Sequence, residues 1–567
     1  MTSDQNPDAA SQSGAFDLTA RPWLPVQFLD GREAELSLRE VFARAEEIRR
    51  VAGDVPTQEF ALTRLLLAIL HDALDGPDEL EDWAELWEAA APFAPVAGYL
   101  DAHRDRFDLL HPVTPFFQVA DLRTETDEVS RLARIVADVP NNEPLFTMRF
   151  PTVARIGFAE AARWVVHAQA YDTSGIKTGV VGDPRAKGGR AYPQGVAWAG
   201  ALGGVLAEGG TLRETLLLNL IAADSEVVRG GSDDRPSWRR PPTGPAAAKD
   251  LAARPTGVRD LYTWQSRRLR LHHDPNGVHG VVLTYGDPLA VQNMQDIEPM
   301  TGWRRSQAQE KKLGRPLVYM PREHDPARAA WRGLEALIAP RDHGVQGRGE
   351  PERALRPGLV HWLAQLVTNR FLPRDTLIRL RTYGAVYGTQ QSVIDEITAD
   401  AVALAVVLLN ADDPRLGQTA VDAVSVAEAA VTSLGHLAAD LATAAGAEPE
   451  PRQDAARTRG FAALDAPYRR WLGSIRDGDD PQALQAAWQR TARTRLTALA
   501  GEIVAAVGPA AWQGRVIEHP GGSSWLDASS ADLRFRVRLR KDLPLAAEPA
   551  SAAAVEAPDT LTPEVPA

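Results

Sequence analysis

Glycine and positive charge are concentrated in one stretch of the chain, residues 171–221. Its first forty residues contain eleven glycines, and its first thirty contain more cations than carboxylates: Lys177, Arg185, Lys187 and Arg190 against Asp172 and Asp183. Glycine is entropically costly to order, so a folded chain retains it where the backbone bends sharply or lies close to another molecule. Close backbone approach together with positive charge predicts contact with a polyanion, and a long flexible loop is the alternative.

The elements expected around this stretch are helices and a strand. Thr211 is a predicted N-cap and Glu214 follows three residues later, so a helix is expected from Leu212 to Ile221. Residues 57–74 are apolar nearly all round and predict a central core helix. Residues 377–391 predict a strand followed by a glycine-containing turn.

The composition is typical of a soluble globular protein, with 567 residues, 44% hydrophobic and 24% charged. A net charge of −13 argues against general nucleic-acid binding, although a local basic patch is compatible with it. The absence of cysteine excludes disulfides, thiolate-ligated zinc and cysteine nucleophiles. No apolar signal core and no run of eighteen apolar residues is present, so we expect a cytoplasmic protein without membrane contact.

We predict the α+β fold class, with a large mixed N-terminal globular domain followed by a C-terminal four-helix bundle. The predicted ranges are a disordered leader (1–15), the mixed α/β domain (16–390), the bundle (391–545) and a disordered tail (546–567). The bundle prediction rests on alanine- and leucine-rich helices at about 392–410, 418–445, 452–475 and 481–507. Residues 533–541 alternate strictly between apolar and basic side chains, which predicts a strand with a basic face or, in context, the end of a helix.

Recognisable catalytic motifs are absent from the sequence. It contains no Walker A loop, no G-x-G-x-x-G, no G-x-S-x-G and no H-E-x-x-H. This absence favours a binding protein without catalytic activity, cofactor or metal. The alternatives are an enzyme that acts on a phosphorylated small molecule at the glycine-rich loop, and a structural scaffold in which the glycines form a hinge.

Five phrases of the sequence, in this order, resemble one known family. They are FDLTARPWLPVQFLDG, ALTRLLLAILHDAL, FDLLHPVTPFFQV, TLRETLLLNLI and YGAVYGTQQSVIDE. The resemblance covers about residues 16 to 545 and is to the CasA family, the large subunit of the type I-E CRISPR Cascade complex. Each phrase is only moderately specific, but their order and spacing make the resemblance strong.

The resemblance implies a non-enzymatic subunit of a crRNA-guided surveillance complex. Such a subunit reads the short protospacer-adjacent motif (PAM) on double-stranded DNA, starts strand separation for R-loop formation and recruits a helicase–nuclease for antiviral defence. The expected partners are the other Cascade subunits, the crRNA, target duplex DNA, the displaced strand and the helicase–nuclease acting in trans. Division of labour between a PAM-reading protein and a base-pairing guide is general in RNA-guided recognition.

The resemblance also assigns candidate DNA-binding residues. The family's glycine loop, which approaches the PAM minor groove, matches Gly188 and Gly189, with Lys187 and Arg190 beside them. The minor groove is only about 6 Å wide, so backbone without side chains can enter it, and its readout is degenerate. Several PAM sequences are therefore expected to be tolerated.

Two further family elements have matches in this chain. The glutamine wedge, which inserts beneath the PAM and opens the first base pair, matches Gln390, with Gln391 as the alternative in register. Inserting a wedge costs a few kcal/mol of lost stacking, which new contacts must recover. The loop that contacts the guide end matches the segment that includes Phe146, Met148 and Arg149.

The chain departs from the family pattern at two places. The family's lysine finger falls in a region, residues 250–310, that contains no lysine here. Asn293, Arg304 and Lys311 are the alternatives for its role. Some relatives also carry a cysteine zinc knuckle, which this cysteine-free chain cannot form in its usual way.

Overall fold

The computed structural model describes residues 14–137, 153–338, 354–519 and 522–546, and contacts divide the chain into two units after Gly417. The described part of the first unit has ten α-helices: α1 (Leu38–Ala43), α2 (Pro56–Leu74), α3 (Leu80–Glu88), α4 (Ala94–Ala102), α5 (Phe158–Tyr171), α6 (Leu212–Leu218), α7 (Val258–Tyr262), α8 (Gln307–Leu313), α9 (Leu334–Ile338) and α10 (Gly358–Thr368). Thr211 caps α6 as predicted, since its hydroxyl accepts a hydrogen bond from the backbone of Glu214.

The strands of the first unit form five small sheets among the described residues. The strands are β1 (Leu24–Phe28), β2 (Glu33–Leu36), β3 (Ile48–Val51), β4 (Lys177–Thr178), β5 (Arg190–Ala191), β6 (Gly204–Glu208), β7 (Arg267–Asp274), β8 (Gly277–Tyr285), β9 (Trp303–Arg305), β10 (Tyr319–Pro321), β11 (Ala354–Leu355), β12 (Leu377–Tyr387) and β13 (Ile394–Ala405). The sheet orders are β2-β1-β3, β10-β9-β11, β13-β12-β6, β4-β5 and β7-β8.

Helix α2 is the centre of the first unit, as its apolar pattern predicts. Every residue from Thr57 to Asp72 is buried. Within this buried range, the guanidinium of Arg64 donates a bidentate pair of hydrogen bonds to the Glu298 carboxylate, at 2.9 and 2.7 Å. A buried charge is tolerated only when it is paired in this way.

The predicted helix over residues 392–410 is wrong. Residues Ile394–Ala405 form β13, which pairs antiparallel with β12 from Leu377↔Ala405 to Tyr387↔Ile394. Alanine content suggested a helix, but the long partner strand β12 offers a continuous ladder of backbone hydrogen bonds, and tertiary pairing overrides local propensity. The predicted strand and glycine-containing turn over 377–391 are confirmed.

The second unit begins at Gln418 and consists mainly of long helices. Its elements are α11 (Arg415–Ala445, which starts just before the division), α12 (Pro449–Ser474), α13 (Pro481–Ala505), α14 (Pro509–Gln513), β14 (Arg515–His519), β15 (Gly522–Leu526) and α15 (Ala528–Asp542). Aromatic side chains anchor the helices to one another: Tyr468 donates a hydrogen bond to Ala420 O at 2.8 Å, and Trp488 donates one to Ala423 O at 2.9 Å.

Residues 533–541 lie within helix α15, so the strand interpretation is wrong and the helical alternative is right. Asp527 caps the helix by accepting a hydrogen bond from the backbone of Ser530 at 2.7 Å. The buried positions of the helix have helical spacing: Ala528, Ala531, Phe535 and Leu539. The α+β class, a mixed body followed by a helical bundle, is confirmed, with α11, α12, α13 and α15 as the four long helices.

Candidate nucleic-acid interface

The predicted glycine loop is the tip of a small hairpin, which we call the glycine turn (Lys187–Arg190). An antiparallel bridge closes it, in which Lys187 and Arg190 exchange backbone hydrogen bonds of 2.9 and 3.2 Å. Arg190 is also the first residue of β5, and residues 179–189 connect β4 to β5. Gly188 and Gly189 have φ angles of +57° and +69°. Two successive positive φ angles in a two-residue loop are the mark of a type I′ turn, which glycine adopts without steric cost.

The glycine turn projects into solvent. All four of its residues are exposed, and a Cβ atom on Gly188 or Gly189 would meet no atom of the described residues within 4 Å. No ion pair joins Lys187 or Arg190 to any other residue that the structure describes. A bare backbone tip flanked by two unneutralised cations is suited to approach an anionic groove.

Internal ion pairs neutralise the other two cations of the glycine-rich stretch. Lys177 Nζ lies 2.6 Å from the carboxylate of Asp172, and Arg185 Nε lies 2.9 Å from that of Asp183. Burial lowers the pKa of Lys177 to about 8. Although burial alone would raise the pKa of Asp172, the charges of Lys177 and Arg267 hold it below its usual value.

Arg267, on β7, closes the base of the glycine-rich loop. Its guanidinium pairs with the Asp172 carboxylate and donates hydrogen bonds of 3.0 Å to the backbone oxygens of Asp172, Thr173 and Gly195. One buried arginine therefore joins the start and the end of the loop that carries the glycine turn. Sequence reasoning missed this role, because Arg267 lies far away in the chain within an alternating strand that has no motif.

The predicted wedge residues lie at the tip of the β12–β13 hairpin, which we call the glutamine turn (Gly388–Val393). Gln390 and Gln391 both have φ of +56°, a left-handed conformation that is uncommon for residues with side chains. Both are exposed. Backbone hydrogen bonds hold the turn, from Gln391 N to Gly388 O at 2.8 Å and from Gly388 N to Val393 O at 3.1 Å.

The glycine-rich loop and the glutamine turn are in direct contact. The backbone N–H of Ser174 donates a hydrogen bond of 2.7 Å to Gln391 O. A cavity of about 160 Å³ lies between them, and Ser174, Lys177 and Ser392 are among its lining residues. The structure thus places the start of the glycine-rich loop against the glutamine turn, although about two hundred residues of sequence separate them.

The alternatives for the lysine finger lie on and around a different sheet, β10-β9-β11. The side chain of Asn293 accepts a hydrogen bond from the backbone of Tyr319 at 2.8 Å, so it holds strand β10 in place. Arg304 lies on β9 and Lys311 on α8, and both are exposed. Phe146, Met148 and Arg149 lie outside the described residues.

Across the described parts of both units, no group of three or more His, Cys, Asp or Glu side chains could hold a metal ion. None of the described helices combines the length and apolar character needed to cross a membrane.

Comparison with known proteins defines the class of this chain. The model of a family described as CRISPR-associated protein Cse1 matches residues 17–499, so the chain is a CRISPR-associated protein. It belongs to the Cse1 family, and the predicted membership of the CasA family, the large subunit of type I-E Cascade, is confirmed.

Three relatives show the extent of the similarity. The crystal structure of Thermobifida fusca Cse1 is 58% identical, covers 94% of this chain and 99% of its own, and has a TM-score of 0.87. That of Acidimicrobium ferrooxidans Cse1 is 31% identical with the same coverage and a TM-score of 0.78. The CasA/Cse1 protein of Thermus thermophilus is 34% identical over 339 residues, which are 58% of this chain and 61% of that relative.

Proposed function

We propose that this chain is a non-catalytic, cytoplasmic Cascade subunit that recognises the PAM in double-stranded DNA through the minor groove. It then initiates duplex opening and R-loop formation on the crRNA-guided complex. The observation that carries the proposal is the exposed type I′ turn at Gly188 and Gly189. A groove about 6 Å wide admits such a turn, and it would exclude most turns that carry side chains.

The charges around the turn support binding to a polymer. Lys187 and Arg190 have no carboxylate partner among the described residues, so two phosphates of a DNA backbone can neutralise them. The glycine tip is exposed, and no atom of the described residues lies within 4 Å of either Cβ position. The open shape therefore favours a DNA groove over the enzyme alternative.

The neighbouring glutamine turn supports the opening step. Gln390 and Gln391 present exposed amide side chains beside the glycine-rich loop. A side chain that enters a base-pair step in this place would separate the first pair next to the PAM, at a cost of a few kcal/mol in stacking. Family membership supports the remaining parts of the proposal: assembly with the other Cascade subunits and crRNA, contact of the helical bundle with the displaced strand, and recruitment of the helicase–nuclease.

Omitting the subunit from the assembled complex tests this function. Complexes of the partner subunits and guide RNA, with and without this chain, are offered matched duplexes that carry a randomised three-base flank. We expect flank-dependent capture, tolerant of several sequences, only when the chain is present. Equal capture of every flank by the two complexes would contradict PAM recognition. Recovery of the tagged chain from its host without a short RNA and partner subunits would contradict assembly.

A further inference from the structure

The short segment Thr173–Gly175 lies directly under the glutamine turn. The Ser174 N–H donates its hydrogen bond of 2.7 Å to Gln391 O. Gly175, with φ of +100°, packs so closely that a Cβ atom there would lie 3.2 Å from the Cβ of Ser392 and 3.6 Å from its Cα. A side chain at position 175 would therefore both strain its own backbone and press on the turn.

The same segment is the root of the glycine turn. Strand β4 begins two residues after Gly175 and pairs with β5, whose first residue, Arg190, closes the glycine turn. The hydroxyl of Tyr285 donates a hydrogen bond of 2.6 Å to Gly175 O, and Arg267 holds Thr173 O at 3.0 Å. Thr173–Gly175 is thus fixed on one side to the β7–β8 hairpin and on the other to the glutamine turn.

The glutamine turn depends on support from outside itself. Two successive non-glycine residues in the left-handed region are unfavourable, and such conformations persist only where the surrounding structure enforces them. The support includes the Ser174 hydrogen bond and a second bond from the Tyr387 hydroxyl to Tyr171 O at 2.7 Å. The first bond contacts the turn itself, and the second holds the last residue of β12 just before it; both come from the end of α5 and the residues that follow it.

We propose that Ser174 and Gly175 are positioning residues that couple the glycine turn to the glutamine turn, so that seating the first on DNA aims the second at the adjacent base pair. This inference rests on the proposed function. In this proposal the Thr173–Gly175 segment does not contact DNA. The segment orients the wedge glutamine, and the glycine turn provides the affinity for the PAM.

The variant Gly175→Ala tests this coupling in the assembled complex. The added methyl group presses on Ser392 at the root of the wedge and leaves Lys187 to Arg190 unaltered. We expect PAM-dependent duplex binding to change by less than about threefold, and the rate of opening, followed with a fluorescent base next to the PAM, to fall about tenfold. A merely structural defect would lower affinity and opening rate together.

A matched control separates contact from backbone strain. Gly31 has φ of +86°, and a Cβ atom there would meet nothing within 4 Å, so Gly31→Ala carries similar strain without touching the turn. We expect Gly31→Ala to open duplex at the wild-type rate. The double variant Gly175→Ala/Ser392→Gly removes the crowded Cβ and is expected to recover most of the lost rate.

A second variant enlarges the other residue of this contact, Ser392. Because Ser392 is exposed, the change carries little risk to folding. Ser392→Val adds bulk at the Cβ that faces Gly175. As for Gly175→Ala, we expect duplex opening to slow while PAM-dependent binding changes little. The coupling is overturned if Gly175→Ala and Ser392→Val both open duplex as fast as Gly31→Ala, or if they reduce binding and opening equally. A wild-type complex that binds duplexes with and without a PAM equally would instead overturn the proposed function.

Discussion

The glycine turn and the glutamine turn both have two successive positive φ angles at their tips, but the first carries no side chains there and the second carries two. Gly188 and Gly189 have φ of +57° and +69°, and Gln390 and Gln391 both have +56°. The glycines adopt this conformation freely, whereas the left-handed region costs a residue with a Cβ about 1–2 kcal/mol. One hairpin tip is therefore relaxed and bare, and the other is strained and carries two amides.

The difference indicates what each turn contributes. A tip that has to enter a narrow groove needs backbone alone, and glycine meets both the steric and the conformational demand. A tip that has to displace a base needs a side chain, so glutamine persists there despite the strain. Strained residues of this kind cluster at functional sites. Four experiments test this difference between the two turns.

The largest effect is expected for Gly188→Asp. A carboxylate would enter a groove of negative potential, and its Cβ would strain a backbone that glycine adopts freely. We expect the affinity of the assembled complex for PAM-bearing duplex to fall about hundredfold, equivalent to roughly 3 kcal/mol. Filter binding at constant salt measures the loss. Gly31→Asp, at another exposed glycine with positive φ, is the control and should bind normally. Unchanged affinity in Gly188→Asp would refute groove entry.

The next effect distinguishes the two glutamines. Replacing the wedge residue by alanine is expected to slow duplex opening about tenfold, while initial PAM binding changes little, because the side chain acts only after the complex has docked. Gln390→Ala and Gln391→Ala are compared on linear duplex and on a duplex with a preformed bubble. The bubble should remove the defect. If neither variant is slower on linear duplex, the wedge assignment fails.

A smaller effect is expected from the cations beside the glycine turn. The double variant Lys187→Ala/Arg190→Ala removes two phosphate contacts, so the slope of log affinity against log salt should become shallower by about 1.8. Arg21→Ala/Arg32→Ala removes two exposed cations from another part of the same unit and is the control. Equal slopes for the wild type and the Lys187/Arg190 variant would argue against contact with phosphate.

The smallest effect is expected when backbone strain is changed at the tips of the two turns. Gln391→Gly removes left-handed strain of about 1–2 kcal/mol from the folded state. The glycine also stabilises the unfolded state by about 0.5–1 kcal/mol through chain entropy. We therefore expect the free energy of unfolding to rise by about 0.5–1 kcal/mol. Gly189→Gln is expected to lower the free energy of unfolding by about 1 kcal/mol, because it introduces a Cβ at a left-handed position. Denaturant unfolding of the isolated chain measures both. A loss of stability in Gln391→Gly would show that the glutamine turn is not strained.

Local chemistry allowed much of the fold to be predicted. The apolar pattern of α2, the Thr211 cap of α6 and the turn after β12 depend on residues that are near one another in sequence. The prediction of a helix at 392–410 failed because alanine content is a weak local preference, which pairing with β12 outweighs. In residues 533–541, apolar and basic side chains alternate, which favours a strand. These residues nevertheless form a helix, which Asp527 caps at its start.

The residue types of the candidate site can be predicted without a structure. Adjacent glycines between Lys187 and Arg190, and adjacent glutamines after Gly388, can be read from residue types and from the resemblance to the CasA family. The contact between the glutamine turn and the start of the glycine-rich loop depends on tertiary packing. The Ser174–Gln391 hydrogen bond and the clamp made by Arg267 join segments that are remote in sequence. Such contacts form only when the sheets and α5 have packed, because no local pattern encodes which distant backbone groups will pair.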